Sequence, residues 1–156
     1  MIGGLNDSIN MLSKLNAARV TNATRIFNSY HYSRITKKPV MKGMPISISF
    51  EPTTSCNLRC PECPRGLRSF SRPTGMLDRA LYQNVIDQLA DTLSYLTFYF
   101  QGEHYLHPHF LEMVRYASAK RIYTATSRNA HFLNDNVARQ TVESGRTSSR
   151  AAAERR

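Results

Sequence analysis

Between residues 46 and 50 apolar and polar side chains alternate strictly, Ile46, Ile48 and Phe50 against Ser47 and Ser49. That period of two predicts a half-buried strand. Before it, residues 5–33 space Leu5, Ile9, Leu12, Leu15, Ile26, Phe27 and Tyr30 as one or two amphipathic helices do. Pro39, Gly43 and Pro45 mark residues 36–45 as a connector. After the strand, "EPTTSCNLRCPECPRGLRSFSRPTG" has no period and predicts a long loop, a kind of segment that tends to be functional. Residues 76–93 are predicted helical, with Leu81, Val85, Leu89 and Leu93 along one face. A strand over 95–100, a helix over 108–120, a strand over 121–127 and a helix over 134–145 follow, the last with Asn134 as N-cap and Gly145 just past its end.

The order from residue 46 is therefore β-α-β-α-β-α, which implies an α/β fold with a parallel sheet. Ligands in such sheets sit at the carboxyl ends of the strands. Three polar stretches fall there: the cysteine loop after the first strand, Gly102-Glu103 after the second, and Ser127 to Asn129 after the third. Tyr95, Phe98, Tyr99 and Phe100 are read as strand packing.

Charge changes this picture little. The 156 residues carry a formal net charge of +10, but residues 1–42 hold +6 of it and residues 146–156 another +3. The middle, with the motifs, is close to neutral, which argues against specific nucleic-acid binding. No apolar run reaches the ~20 residues of a membrane span, and the N-terminus lacks the pattern of a secretory signal. A soluble, cytoplasmic protein is expected. The expected organisation is an N-terminal helical segment and linker over 1–44, a domain over 45–145, and a basic, disordered tail over 146–156.

The cysteines carry the chemistry. Cys56, Cys60 and Cys63 are spaced C-x3-C-x2-C, and the sequence has no other cysteine. An odd, clustered set argues against disulfides and for a reducing compartment with metal ligation or thiol chemistry. Thiolates suit zinc and iron–sulfur clusters. Zinc sites usually close at four ligands, and His104, His107 or His109 would be the fourth, although surface or capping roles are commoner for such histidines. A 4Fe–4S cluster on three thiolates keeps one iron open for an exogenous ligand. Thiol redox catalysis by the Cys60–Cys63 pair leaves Cys56 without a role. Arg65, Arg68 and Arg72, just beyond, are either a solvated charged edge or contacts for an anionic substrate.

Spacing and context together resemble the radical S-adenosylmethionine (radical SAM) superfamily, whose hallmark C-x3-C-x2-C follows the first strand of a partial (β/α)6 barrel. The stretch "ISISFEPTTSCNLRCPECPRG" looks like the subgroup whose members often carry a C-terminal SPASM domain. The resemblance covers residues 45–145 and implies a truncated (β/α) partial barrel of about three units. It implies that Cys56, Cys60 and Cys63 hold a 4Fe–4S cluster whose fourth iron chelates S-adenosylmethionine. One-electron reduction would then cleave that cofactor to a 5′-deoxyadenosyl radical, which abstracts hydrogen from a substrate. Gly102 and Glu103 match the family's Gly-Gly-Glu region, with Gln101 in place of the first glycine. Ser127 and Asn129 match its polar stretch after the third strand. Leu58 would shield the cluster and Arg59 tune its charge. The implied activity is that of an oxidoreductase or modifying enzyme, with a flavodoxin or ferredoxin as reductant and a peptide as substrate class.

After Gly145 the expected next strand is missing, and "RTSSRAAAERR" follows. A premature end, by truncation or a frameshift near Gly145, is expected. With it come inactivity of the chain by itself, an uncovered apolar inner sheet face, and low stability. The competing readings are a zinc module with basic tails and a cluster-binding protein without radical chemistry.

Overall fold

A computed structural model describes residues 2–129, 131, 134–145 and 148–151, with side chains placed for 7–127, 129, 131 and 134–145. Leu5's side chain and residues 146, 147 and 152–156 of the expected tail lie outside the described residues. Two helices come first, α1 (Ile2–Ser13) and α2 (Ala17–Thr36). Then β1 (Ser47–Phe50), α3 (Arg79–Leu89), β2 (Tyr95–Phe98), α4 (Phe110–Ala119), β3 (Tyr123–Arg128), α5 (Asp135–Glu143) and β4 (Ser148–Ala151) alternate. A single 3-10 turn, His104–Leu106, sits between β2 and α4.

The strands form one sheet in the order β1-β2-β3-β4, every pair parallel. The α/β class and the three β/α units match the sequence reading. The fourth strand does not: a stretch expected to be tail without a strand pairs Ser148–Ala151 with Ala125–Arg128 of β3. The ladder is backbone to backbone. Small polar side chains therefore do not prevent it once α5 returns the chain to the open edge of β3. The sheet thus continues past the expected boundary at residue 145.

Helices α3 and α4 cover one face. Tyr82, Ile86 and Leu89 from α3, Leu96 and Phe98 from β2, and Phe110 and Met113 from α4 are buried together. Leu89 and Leu93 of the expected face are buried, but in the first turns of α3 the stripe is offset by one residue, to Tyr82 and Ile86, and Leu81 is 54% exposed. Tyr82 explains the offset. Its ring packs edge-on against Phe50 and tilted against Phe98, and its hydroxyl donates to the Met113 carbonyl at 2.7 Å. Burial of this phenol pushes its pKa up, so it remains a donor. Both caps expected of α5 are present: Asn134 accepts from the Val137 N–H, and Gly145 follows with φ +74°. Asp78, not expected as a cap, accepts from the Leu81 N–H at the start of α3.

The opposite face is polar rather than apolar, contrary to expectation. Register places Ser47, Tyr95 and Tyr123 in one row and Ser49, Thr97 and Ala125 in the next. Tyr95 and Tyr123 stack with centroids 5.3 Å apart, and the Tyr123 hydroxyl donates to Asp7 of α1. Strict alternation makes this face as polar as the other is apolar.

The N-terminal helices are tied to the amino ends of the strands. Arg19 of α2 is 1% exposed, and its guanidinium donates to the carbonyls of Lys14, Ala90, Lys120 and Arg121. Ala90 and Lys120 are the C-cap residues of α3 and α4, where backbone carbonyls are unsatisfied and the helix dipole favours a cation. One arginine thereby joins the ends of both core helices to α2. The site lies at the other end of the sheet.

Candidate metal centre

The loop after β1 runs from Glu51 to Leu77, and its two ends are fastened together. Thr54 N–H donates to Gly75 O at 3.1 Å, Gly75 N–H to Thr54 Oγ1 at 2.8 Å, and Leu77 N–H to Pro52 O at 2.8 Å. Thr53 is buried and bridges Met76. The irregular middle is therefore held over the carboxyl end of the sheet rather than left to wander. It carries the three cysteines, none in a disulfide and each half-buried. Cys63 N–H bonds Cys60 O at 3.2 Å, and the Leu58 N–H lies 3.5 Å from Cys56 Sγ. Among the described residues no three of His, Cys, Asp and Glu already converge on one point as a metal site.

The end of β2 packs directly under this loop. Gly102 has φ +77°, and a Cβ there would lie 2.0 Å from Thr53 O and 2.8 Å from Ser55 O. Only glycine admits that approach. It lets the Glu103 N–H reach Ser55 O at 2.7 Å. Next to it Gln101 Oε1 lies 3.4 Å from Cys63 Sγ. Phe100, just before, has φ +134°, a strained value for a non-glycine residue, beside the site.

Glu103 is 3% exposed, so it is no solvated loop carboxylate. Oε1 accepts from Tyr105 N–H at 3.2 Å and Oε2 from Asn129 N–H at 3.0 Å. The Asn129 amide in turn donates to Asn57 Oδ1 at 2.8 Å. Glu103, Asn129 and Asn57 thus link the ends of β2, β3 and the cysteine loop. Asn57 was not singled out from sequence, although its place beside Cys56 was the available signal. Ser127 stands apart: it is half-buried on the polar inner face with Thr97 and Tyr123, outside that chain of hydrogen bonds.

None of the three histidines is placed as a ligand. His104 is buried, with Nε2 2.8 Å from Thr126 Oγ1. His107 accepts the His109 N–H at Nδ1, so its Nε2–H donates to Leu77 O at 3.0 Å. His109 caps α4 and faces Glu112. Their jobs are packing and capping.

The donor set fits an iron–sulfur cluster. It consists of three soft thiols on one pinned loop, at the strand ends where α/β sheets bind ligands, with His104, His107 and His109 engaged elsewhere.

Fold and site define a partial β/α barrel with a cysteine loop at the carboxyl ends of its strands. The chain is 33% identical over 94 residues to the mycofactocin maturase MftC of Mycobacterium ulcerans (strain Agy99), a match over 60% of this chain and 25% of MftC. The structure of BtrN in complex with AdoMet and 2-DOIA superposes with a TM-score of 0.61 at 27% identity, over 70% of this chain and 46% of BtrN. SuiB of Streptococcus suis, solved with S-adenosylmethionine, shares the fold with a TM-score of 0.53 at 17% identity, over 74% of this chain and 25% of SuiB. No protein-family profile matches the chain. The chain spans about a quarter of the length of MftC and under half of BtrN. These partial matches support the resemblance to the radical SAM superfamily over part of that family's core.

Proposed function

We propose that Cys56, Cys60 and Cys63 hold a 4Fe–4S cluster whose open iron takes S-adenosylmethionine. One observation carries this reading: three thiols within eight residues on a loop fastened over the carboxyl ends of a parallel sheet. BtrN, whose structure contains AdoMet, shares this part of the fold at 27% identity and supports the cofactor. When bound, the cluster supplies the single electron that cleaves S-adenosylmethionine for hydrogen abstraction from a substrate.

The chain's own residues would bind and orient. Glu103 is held rigidly by two backbone N–H groups and keeps lone pairs to accept from the methionine ammonium, a charge-assisted bond. Gly102 leaves room for that close approach. Asn129 offers an amide, and Ser127 a hydroxyl, from the end of β3. Gln101 faces Cys63, and its amide turned over would donate an N–H to the thiolate, the family's first glycine having no such group. Leu58 keeps water from the sulfur atoms. The activity is that of a modifying oxidoreductase acting in the cytoplasm. Its reductant is a flavodoxin or ferredoxin, and its substrate class a peptide, by the subgroup resemblance of residues 46–66.

Anaerobic reconstitution followed by iron, sulfide and zinc analysis tests the metal assignment. About four irons and four sulfides per chain are expected, with none in the C56A/C60A/C63A variant. Stoichiometric zinc with no stable iron would replace this reading by the zinc module.

A further inference from the structure

Three arginines line a cavity beside the cysteine loop, which supplies Cys56, Asn57 and Leu58 to the same wall. Arg59, Arg65 and Arg68, with Asn57, Leu58 and Phe70, line a space of about 510 Å³ that also reaches Cys56. That size suits a small molecule or a short peptide segment. Among the described residues no carboxylate pairs with any of the three guanidinium groups. Arg72, four residues beyond Arg68, behaves differently: one nitrogen donates to both Glu51 oxygens at 2.7 Å, and its guanidinium lies over Phe70. The loop has thus paired one arginine with a carboxylate and left three, of which Arg65 donates to Thr74 Oγ1 at 3.0 Å, around a common space. Like charges facing one cavity repel unless an anion joins them.

The backbone holds two of these arginines in place. Residues 64–69 form a turn closed by Ser69 N–H to Pro64 O at 3.0 Å and Arg68 N–H to Arg65 O at 3.1 Å. A Cβ on Gly66 would lie 2.3 Å from Cys60 O and 2.5 Å from Cys60 N, so the turn is packed against the cysteine loop itself. Arg68 has φ +56°, where a side chain is disfavoured. A non-glycine residue kept there, as part of the cavity wall, is local strain beside the cavity.

We infer that this cavity binds an oxyanion-bearing ligand, recognised by Arg59, Arg65 and Arg68 through charge-assisted, forked hydrogen bonds. The anion is a phosphate group or a pair of neighbouring carboxylates, both of which match the guanidinium fork. Binding needs no cluster, since the cavity is formed by the protein alone. Because Cys56, Asn57 and Leu58 are shared with the cysteine loop, the titration is made without metal, and its failure is distinguishable from a failure to bind iron.

The test is calorimetric titration of the metal-free full chain with inorganic pyrophosphate and, separately, with tetraglutamate, at physiological ionic strength. One of the two is expected to bind, and which one does identifies the source of the anion. R59Q/R65Q/R68Q should weaken it about tenfold or more, while K37Q/K38Q/K42Q, on the N-terminal basic segment, should leave it unchanged. R68G separates recognition from folding. It removes a guanidinium and relieves the left-handed backbone, so affinity should fall while the urea midpoint holds or rises. Binding of neither probe would overturn the inference. So would an equal loss in the N-terminal variant, which marks nonspecific charge attraction.

Discussion

A methyl group on Gly102 would meet the Thr53 and Ser55 carbonyl oxygens at 2.0 and 2.8 Å, on a backbone whose φ is +77°. Relief requires the end of β2 to move off the cysteine loop and break the Glu103–Ser55 bond. G102A is therefore expected to lower stability by about 2–4 kcal/mol, read as a shift of the urea midpoint. A second change probes the neighbouring carboxylate. In E103Q one oxygen becomes an NH2 group facing a backbone N–H that needs an acceptor. About 1–3 kcal/mol should be lost, and amide exchange at Tyr105 or Asn129 should rise. Unchanged exchange at both would contradict the assigned hydrogen bonds. At this scale the sequence was partly legible. The cysteine spacing and Gly102-Glu103 could be read because their residue types are unusual for their positions. The burial of Glu103, its bond to Asn129, and the role of Asn57 depend on which loops meet in space, and no local pattern records that.

Helices and strands were legible by period, but their attachments were less so. The stripe of α3 keeps Leu89 and Leu93 but shifts by one residue in its first turns because Tyr82, rather than Leu81, fills the space between Phe50 and Phe98. β4 was missed because backbone pairing to an open edge outweighs weak strand propensity. Arg19 was missed because an arginine on a helix reads as solvent-facing, and only the carbonyls of α3 and α4 show otherwise. R19M should lower stability by about 3 kcal/mol or more, since it leaves several buried carbonyls without a charged donor. Hydrogen exchange in α2 should accelerate ahead of the sheet. Between α3 and α4, Asp87 is hydrogen-bonded by Lys120 and Tyr116, which hold its carboxyl below the ordinary 3.8. Its stabilising contribution is therefore complete above pH 3.8 and disappears as pH falls through the lower folded-state value. Lys120 is pushed above 10.5 by its bond to Asp87, so its contribution persists below that pH and is lost as pH rises past the folded-state value. D87N should lower Tm slightly at pH 7, and the difference from the unmodified protein should close in strong acid. A difference that persists there would assign the effect to something other than charge.

In the whole molecule the sheet separates two functions. Its amino ends are joined to α2 by Arg19, and its carboxyl ends present the cysteine loop, Glu103 and Asn129. One face packs the helices, while the other presents Tyr, Thr and Ser, a surface suited to a polar ligand rather than to further core. Because clamp and site lie at opposite ends, R19M should leave the iron content of the folded fraction unchanged. The central claim is an open iron held by three cysteines. Low-temperature EPR of anaerobically reconstituted, dithionite-reduced protein tests it most directly, with and without S-adenosylmethionine. A 4Fe–4S signal that shifts when the cofactor is added is the predicted result. A signal that does not respond to the cofactor, or no cluster at all, would contradict it.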